Sequence, residues 1–371
     1  RKEKINAREL FAKFMKERAN TGRIYLQNVD HCNTHGAFNP SLAPIKQSNL
    51  CMEITLPTKP LYSVQDENGE VALCTLSAVN LGALDSLDEL EDITEIIVRS
   101  LDCLLDYQDY PLKSAEITSN NRRTLGIGVT NLAYYLAKND AKYSDGSGNE
   151  LIHKTFEALQ FYSLKASNKL AIEFGACPLF SETQYAQGIL PVDSYKKDID
   201  VFCNTKLELD WDSLRKDIKA SGLRNSTLTA LMPCESSSQI SNSTNGIEPP
   251  RGFVSVKQSK DGILKQVVPE YEKLHKKYEL LWDIKDNEGY LQLCAIMQKF
   301  VDQSISTNTH YDPSKFEGNR VPMKLFLMDL LKAYKYGIKT LYYHTTRDGA
   351  SDDQSINNPS DDDCEDGVCK L

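Results

Sequence analysis

Asn49, Cys51 and Glu53 recur at every second position of Ser48-Asn49-Leu50-Cys51-Met52-Glu53. In an extended chain that period puts an amide, a thiol and a carboxylate on one face, with Leu50 and Met52 on the other. An amide can hold a hydroxyl in place and a carboxylate can take its proton. A thiol can do nucleophilic, redox or radical chemistry. The plainer alternative is a half-buried edge strand with Cys51 as a small core hydrophobe. Spacing alone favours that alternative, so the choice turns on what else the chain carries.

Four other places carry chemistry-bearing residues. Cys74 lies inside an apolar run, residues 71–76, that reads as a strand buried on both faces, where core packing is its ordinary role. Tyr342 and Tyr343 end the last expected strand, residues 339–343. They can stack only if the strand ends or bends there, because neighbours in a regular strand face opposite sides. A buried-type strand at 226–232 runs into Pro233-Cys234-Glu235-Ser236-Ser237-Ser238. Small hydroxyl residues there, opening a helix, suit an anion, with simple Ser capping as the alternative. Cys364 and Cys369 sit on an acidic, polar stretch, 348–371, expected to be disordered. Two thiols there have little packing role and suit thiol–disulfide exchange.

Positioning these residues requires an α/β framework. Helical spacing predicts helices over 7–20, after Ser86, and over 150–174, 214–220, 289–304 and 323–336. Strands are expected at 23–26, 71–76, 226–232 and 339–343, with a hairpin pairing 254–256 and 264–268. Strands separated by helices argue for a mostly parallel sheet. The stretch 122–128 lacks the third Gly of a dinucleotide fingerprint and any Walker Lys, so its nucleotide signal is weak. Residues 31–35 (His31-Cys32-Asn33-Thr34-His35) read as a structured turn rather than a metal loop.

Composition narrows the class. The net charge is −9, which argues against a nucleic-acid-coating surface. Beyond position 347, eight acidic residues and one Lys contribute −7 of it. No apolar run is long enough to span a bilayer, and the start is no signal peptide. Ten cysteines without a CxxC pair make zinc and a disulfide scaffold poor readings and free thiols in a reducing cytoplasm the expected one.

Taken together, Asn49-Leu50-Cys51-Met52-Glu53, Cys74 in its apolar run, Tyr342-Tyr343 and the Cys-x4-Cys tail resemble the large (alpha) subunit of class Ia ribonucleoside-diphosphate reductases, enterobacterial and phage-like. Arg123-Thr124-Leu125-Gly126-Ile127-Gly128 and the stretch 242–252 look familial too, so the resemblance covers nearly the whole chain. It implies the second five-stranded half of a ten-stranded α/β barrel over 1–347, with a finger loop at its centre, and a redox tail over 348–371. It implies that Cys51 is the thiyl-radical cysteine, Glu53 the base for the 3′-hydroxyl, and Asn49 its holder. Cys74 becomes one half of the reducing dithiol. Tyr342 and Tyr343 become the radical relay, and Cys364 and Cys369 the pair reduced by thioredoxin or glutaredoxin. Glu235, Ser236 and Ser237 fall at the substrate diphosphate, where Cys234 replaces the usual Ser.

The resemblance implies no metal in this chain. It implies a tyrosyl radical and di-iron centre in a small (beta) subunit, and allosteric nucleotide sites in an N-terminal part. Several hundred residues that the family carries before Arg1 have no counterpart here. That fits either the second polypeptide of a split subunit or a shortened form of a longer one. A non-catalytic half that scaffolds or regulates an intact reductase is the alternative function.

Overall fold

The structure, a computed structural model, describes residues 4–259 and 262–347, and the backbone at 355–356, 364–365 and 368–369. The first helix, Ala7–Thr21, is capped by the Asn6 side chain and ends at Gly22, whose φ of 66° is left-handed. It leads to β1 (Leu26–Gln27). The parallel series begins with β2 (Leu76–Asn80) beside β3 (Gly126–Thr130), Leu76 opposite Gly126. Segment 227–231 lies next. Ile127 N donates to Leu228 O at 2.7 Å, and Ala230 N to Ile127 O at 3.1 Å. The glycines of the supposed nucleotide loop serve this approach: a Cβ on Gly128 would stand 2.7 Å from Ala230 O.

Segment 303–306 follows, with Leu231 N on Ser304 O and Ser306 N on Leu231 O, both at 3.0 Å. The expected hairpin strands are present: β4 (Val254–Ser259) pairs antiparallel with β5 (Gly262–Val267). Finally β6 (Thr309–Tyr311) runs parallel to β8 (His344–Thr346), while β7 (Thr340–Leu341) pairs antiparallel with β1. Five chain segments therefore lie side by side in sequence order. The expected α/β architecture is present, and no closed barrel forms among the described residues.

Helix Asn149–Phe174 is buried along most of its length and lies against helices Leu90–Tyr107, Trp211–Ser221 and Glu288–Phe300. Residues 289–300 are buried except Gln292, as befits a helix apolar on most faces. No helix of the described residues is long and apolar enough to cross a membrane.

Several expectations are corrected. The run 71–76 is no strand. Val71 N is taken by the Thr118 hydroxyl, Glu70 pairs with Lys59, and the ladder starts only at Leu76. Cys74 is consequently exposed rather than in the core. Segment 226–232 makes isolated bridges at Thr229 and Leu231 instead of a regular strand. Helix Lys113–Arg122 was not expected, because its buried residues are Ser114, Ala115, Thr118, Ser119 and Arg122, with no apolar period. In the tail, Cys364–Glu365 pairs antiparallel with Val368–Cys369 along the backbone. The disorder expected over 348–371 otherwise lies outside the described residues.

One polar cluster fixes the register of the segments that carry the site. Asp302, just past helix Glu288–Phe300, accepts from Leu228 N at 2.9 Å, Thr229 N at 3.0 Å and the Tyr185 hydroxyl at 2.8 Å. Lys339, fully buried, donates to Asp302 O at 2.9 Å and to Gln303 O. Burial pulls its pKa down to about 8. Asp302→Ala removes these three short bonds, at about 1–3 kcal/mol each, together with the longer contacts of Gln160 Nε2 at 3.4 Å and Thr229 Oγ1 at 3.3 Å, so denaturant unfolding should show a loss of at least about 3 kcal/mol. A loss under about 1 kcal/mol would show that water replaces the carboxylate.

Candidate active site

The residues at 49–53 do not form a strand. Met52 N donates to Asn49 O at 3.2 Å, and Met52 has a φ of 71°, so the segment is a tight turn. Its three functional side chains meet because the turn folds them together, not through a two-residue period. Asn49 Nδ2 donates to Glu53 Oε1 at 2.7 Å and lies 3.6 Å from Cys74 Sγ. Asn49 Oδ1 accepts from Ile54 N at 3.2 Å, which fixes the amide's orientation. The turn is held against segment 303–306. Ser304 N donates to Glu53 O at 3.0 Å, and the Ser306 hydroxyl donates to Cys51 O at 2.5 Å. The same hydroxyl lies 3.3 Å from Glu53 Oε2.

Tyr342 and Tyr343 occupy the break between β7 and β8, as stacking requires. Their ring centroids are 4.1 Å apart at 50°. Tyr25 lies against both, at 4.6 and 5.4 Å. The Tyr342 hydroxyl is directed at Cys51 Sγ, 3.7 Å away.

Burial dominates the electrostatics. It raises the Glu53 pKa, against hydrogen bonds from Asn49 and Ser306 that favour the carboxylate. Burial likewise raises the Cys51 thiol, with the Glu53 charge adding and the Tyr342 hydroxyl opposing. Cys74, although its surface is open to solvent, is raised by the surrounding protein that partly desolvates its thiol and then by the Glu53 charge. Tyr342 is raised by burial first, with its hydroxyl contacts to Tyr343 and Cys51 adding, whereas the hydroxyls of Tyr25 and Tyr342 beside it lower Tyr343.

A cleft of about 560 Å³ opens beside this group, lined among others by Cys51, Glu53, Glu235, Glu248, Tyr342 and Tyr343. Glu235 Oε1 accepts from Asn245 Nδ2 at 2.8 Å, and Glu248 accepts from Asn308 Nδ2. Ser236 and Ser237 are exposed and stand outside the cleft wall. The helix they open is only Ser237–Ile240, so its dipole is small. Among the described residues no three His, Cys, Asp or Glu side chains gather as metal ligands.

Comparison with known proteins decides the family. A family model described as ribonucleotide reductase, barrel domain, matches residues 1–344. The chain belongs to the ribonucleotide reductase family. It is 66% identical to the ribonucleoside-diphosphate reductase subunit alpha of Haemophilus influenzae over 371 residues, covering 100% of this chain and 49% of that protein. The ribonucleoside-diphosphate reductase 1 subunit alpha of Escherichia coli is also 66% identical, over 373 residues, and the ribonucleoside-diphosphate reductase subunit alpha of Enterobacteria phage T4 is 50% identical over 376, with the same shares covered. The chain spans about half the length of the curated relatives it matches.

In this reductase-family chain the structure gathers Asn49, Cys51, Glu53, Cys74, Tyr342 and Tyr343 into one site, with Glu235 on the shared cleft. It does not bring Ser236 or Ser237 to that wall, and the side chains of Cys364 and Cys369 lie outside the described residues. Sequence reasoning missed Ser306, which carries the turn, and Tyr25, the third ring. It read Glu248 only as part of a turn. No local motif marks these three; each matters through a partner distant in sequence.

Glu53 offers a pH test. Its folded-state pKa is raised, so the folded state holds the proton more tightly than the unfolded one. Its contribution to stability is therefore complete below the unfolded value near 4.5 and is lost as pH rises through the folded value. Glu53→Gln keeps the Asn49 and Ser306 partners without burying a charge. Its melting temperature should exceed that of the parent at pH 7–8, and the gap should close toward pH 4. A gap that is constant with pH would mean that Glu53 is not strained by its burial.

Proposed function

We propose that this chain is the catalytic C-terminal part of a class Ia large subunit, which reduces ribonucleoside diphosphates to 2′-deoxyribonucleoside diphosphates in the cytoplasm. On this reading residues 1–347 supply the second half of a ten-stranded barrel with the 49–53 turn as its finger loop, and 348–371 is a redox tail. The observation that carries the reading is the Tyr342 hydroxyl on Cys51 Sγ at 3.7 Å, with Glu53 on the same cleft.

The chemistry follows from these positions. An oxidising equivalent, supplied by a small subunit that holds the tyrosyl radical and its di-iron centre, passes through Tyr343 and Tyr342 and removes the hydrogen atom of the Cys51 thiol. The Cys51 radical takes the hydrogen from C3′ of the ribose and returns it to C3′ once the 2′ position is reduced, which regenerates the radical. Glu53 takes the proton of the 3′-hydroxyl, and Asn49, already bonded to Glu53, orients that hydroxyl. The 2′-hydroxyl leaves as water. Cys74 and a second thiol from an N-terminal part give two electrons and two protons and become a disulfide. Cys364 and Cys369 reduce that disulfide and are reduced in turn by thioredoxin or glutaredoxin. The diphosphate end reaches past Glu235 at the cleft wall to the exposed loop at Ser236 and Ser237, where backbone N–H groups suit an anion, and allosteric nucleotides bind the N-terminal part.

Raised thiol pKa values support the reading, because a hydrogen-atom donor must be a thiol and not a thiolate. The chain alone should be inactive. Turnover should appear when it is mixed with the N-terminal part, the small subunit, a ribonucleoside diphosphate and a dithiol. In that assay Cys51→Ser should abolish turnover under any reductant. Replacing Cys364 and Cys369 together by Ser should remove thioredoxin-dependent turnover yet spare turnover with dithiothreitol. Activity of Cys51→Ser, or of this chain with the small subunit alone, would sink the proposal.

A further inference from the structure

The break at Tyr342-Tyr343 removes two residues from a regular ladder, and their backbone groups must find other partners. Tyr342 N donates to Thr307 O at 2.7 Å, and Tyr343 O accepts from Thr309 N at 2.9 Å. Side chains satisfy the remaining two. Tyr343 N donates to Asn308 Oδ1 at 2.9 Å, and Tyr342 O accepts from Arg18 Nη1 at 3.0 Å. The same Arg18 nitrogen donates to Ile24 O, the carbonyl just before Tyr25. One guanidinium therefore spans the two chain segments that carry the three rings.

Arg18 is unusual in its own right. It is 2% exposed, and among the described residues no carboxylate pairs with it. The groups that most offset this burial are the phenols Tyr311 and Tyr25, both raised by burial and uncharged near neutral pH, and among the described residues its Nη2 has no partner. Burial lowers its pKa to about 10. A buried cation without a counter-ion is disfavoured and rare unless its hydrogen bonds do something no neutral group does. Its helix is clamped to the far side of the break as well, because Gly22 O accepts from His344 N at 3.1 Å.

We propose that Arg18 is a positioning residue for the tyrosine pair: by tying the backbone at Ile24 to the backbone at Tyr342 it fixes the ring stack and keeps the Tyr342 hydroxyl on Cys51. This rests on the reading of Tyr342 and Tyr343 as a relay.

The test compares Arg18→Met, Arg18→Lys and Tyr342→Phe in the reconstituted enzyme, measuring kcat, KM for the diphosphate substrate and melting temperature. Arg18→Met keeps the stem and loses the donors. It should lower kcat by about 10²-fold with KM unchanged, the scale expected for a misplacement of about 1 Å. Arg18→Lys keeps a cation with three donors that can reach both carbonyls, and should recover to within about tenfold of the parent. Arg18→Met turning over within about twofold of the parent, or Arg18→Lys no better than Arg18→Met, would overturn the assignment. If Arg18→Met melts below the assay temperature, Arg18→Gln takes its place, with the same kcat threshold. Normal turnover of Tyr342→Phe would remove the relay reading itself. An inactive Tyr342→Phe beside a normal Arg18→Met would remove only the role given to Arg18.

Discussion

The contact between the Tyr342 hydroxyl and the Cys51 thiol joins residues 291 apart in sequence, and neither lies in a regular element. Its length is set by the segment between them in space. Residues 304–306 grip the turn through Glu53 O and Cys51 O, while 307–309 grip the tyrosines through Tyr342 N and Tyr343 O. The segment acts as a ruler. A one-residue slip would move either end by about 3.3 Å and turn every side chain to the other face. Asp302 and Lys339 prevent that slip. They bond backbone groups of 228–229 and 301–303 just before the ruler begins.

The same burial that orders the site decides which protonation states it holds. Cys51, Cys74 and Glu53 all have raised pKa values. Thiols kept protonated are poor nucleophiles and poor metal ligands, but they retain the S–H bond that hydrogen-atom transfer needs. A carboxylate with raised pKa is a better match for taking a hydroxyl proton near neutral pH. The two tyrosines shift in opposite directions. The upward shift falls on the phenol that lies against the Cys51 thiol, and the downward one on the phenol that lies between Tyr25 and Tyr342.

The sequence disclosed the elements with strong apolar period and clear stops, such as helices Ala7–Thr21 and Asn149–Phe174 with Gly22 and Gly175 beyond them. It singled out Asn49, Cys51, Glu53, Cys74, Tyr342 and Tyr343 by type and familial combination, and the fold brings these side chains to one place. It misjudged 49–53 because a two-residue spacing fits a strand, whereas the segment is a turn whose Met52 adopts a left-handed φ that side chains rarely take. It misjudged 71–76 because an apolar run says nothing about which backbone groups are already engaged. Helix Lys113–Arg122 stayed hidden because its inner face is hydroxyl and guanidinium, held by Arg122 on Glu70 and Glu182 and by Val71 N on the Thr118 hydroxyl, all far along the chain. Ser306 and Arg18 were invisible for a related reason. Each acts on the backbone of a distant residue, and backbone partners leave no trace in side-chain patterns.

Cys234 shows how placement decides what a substitution means. Read from the chain alone, a thiol in place of a hydroxyl weakens a donor to the diphosphate. In the fold, Cys234 is buried and its Sγ lies 3.6 Å from Val129 O, at the end of β3. Its backbone N–H is engaged by Asn245 Oδ1 at 2.7 Å. Asn245 in turn donates to Glu235, which lines the cleft. The side chain at 234 therefore links the loop to the sheet and does not face the cleft. Exchanging a strong hydroxyl donor for a weak thiol donor slackens that link by one hydrogen bond, while the larger, more apolar sulfur suits the buried position. The effect on an anion at the loop would be transmitted through Asn245 and Glu235, as a change in how firmly the loop is held.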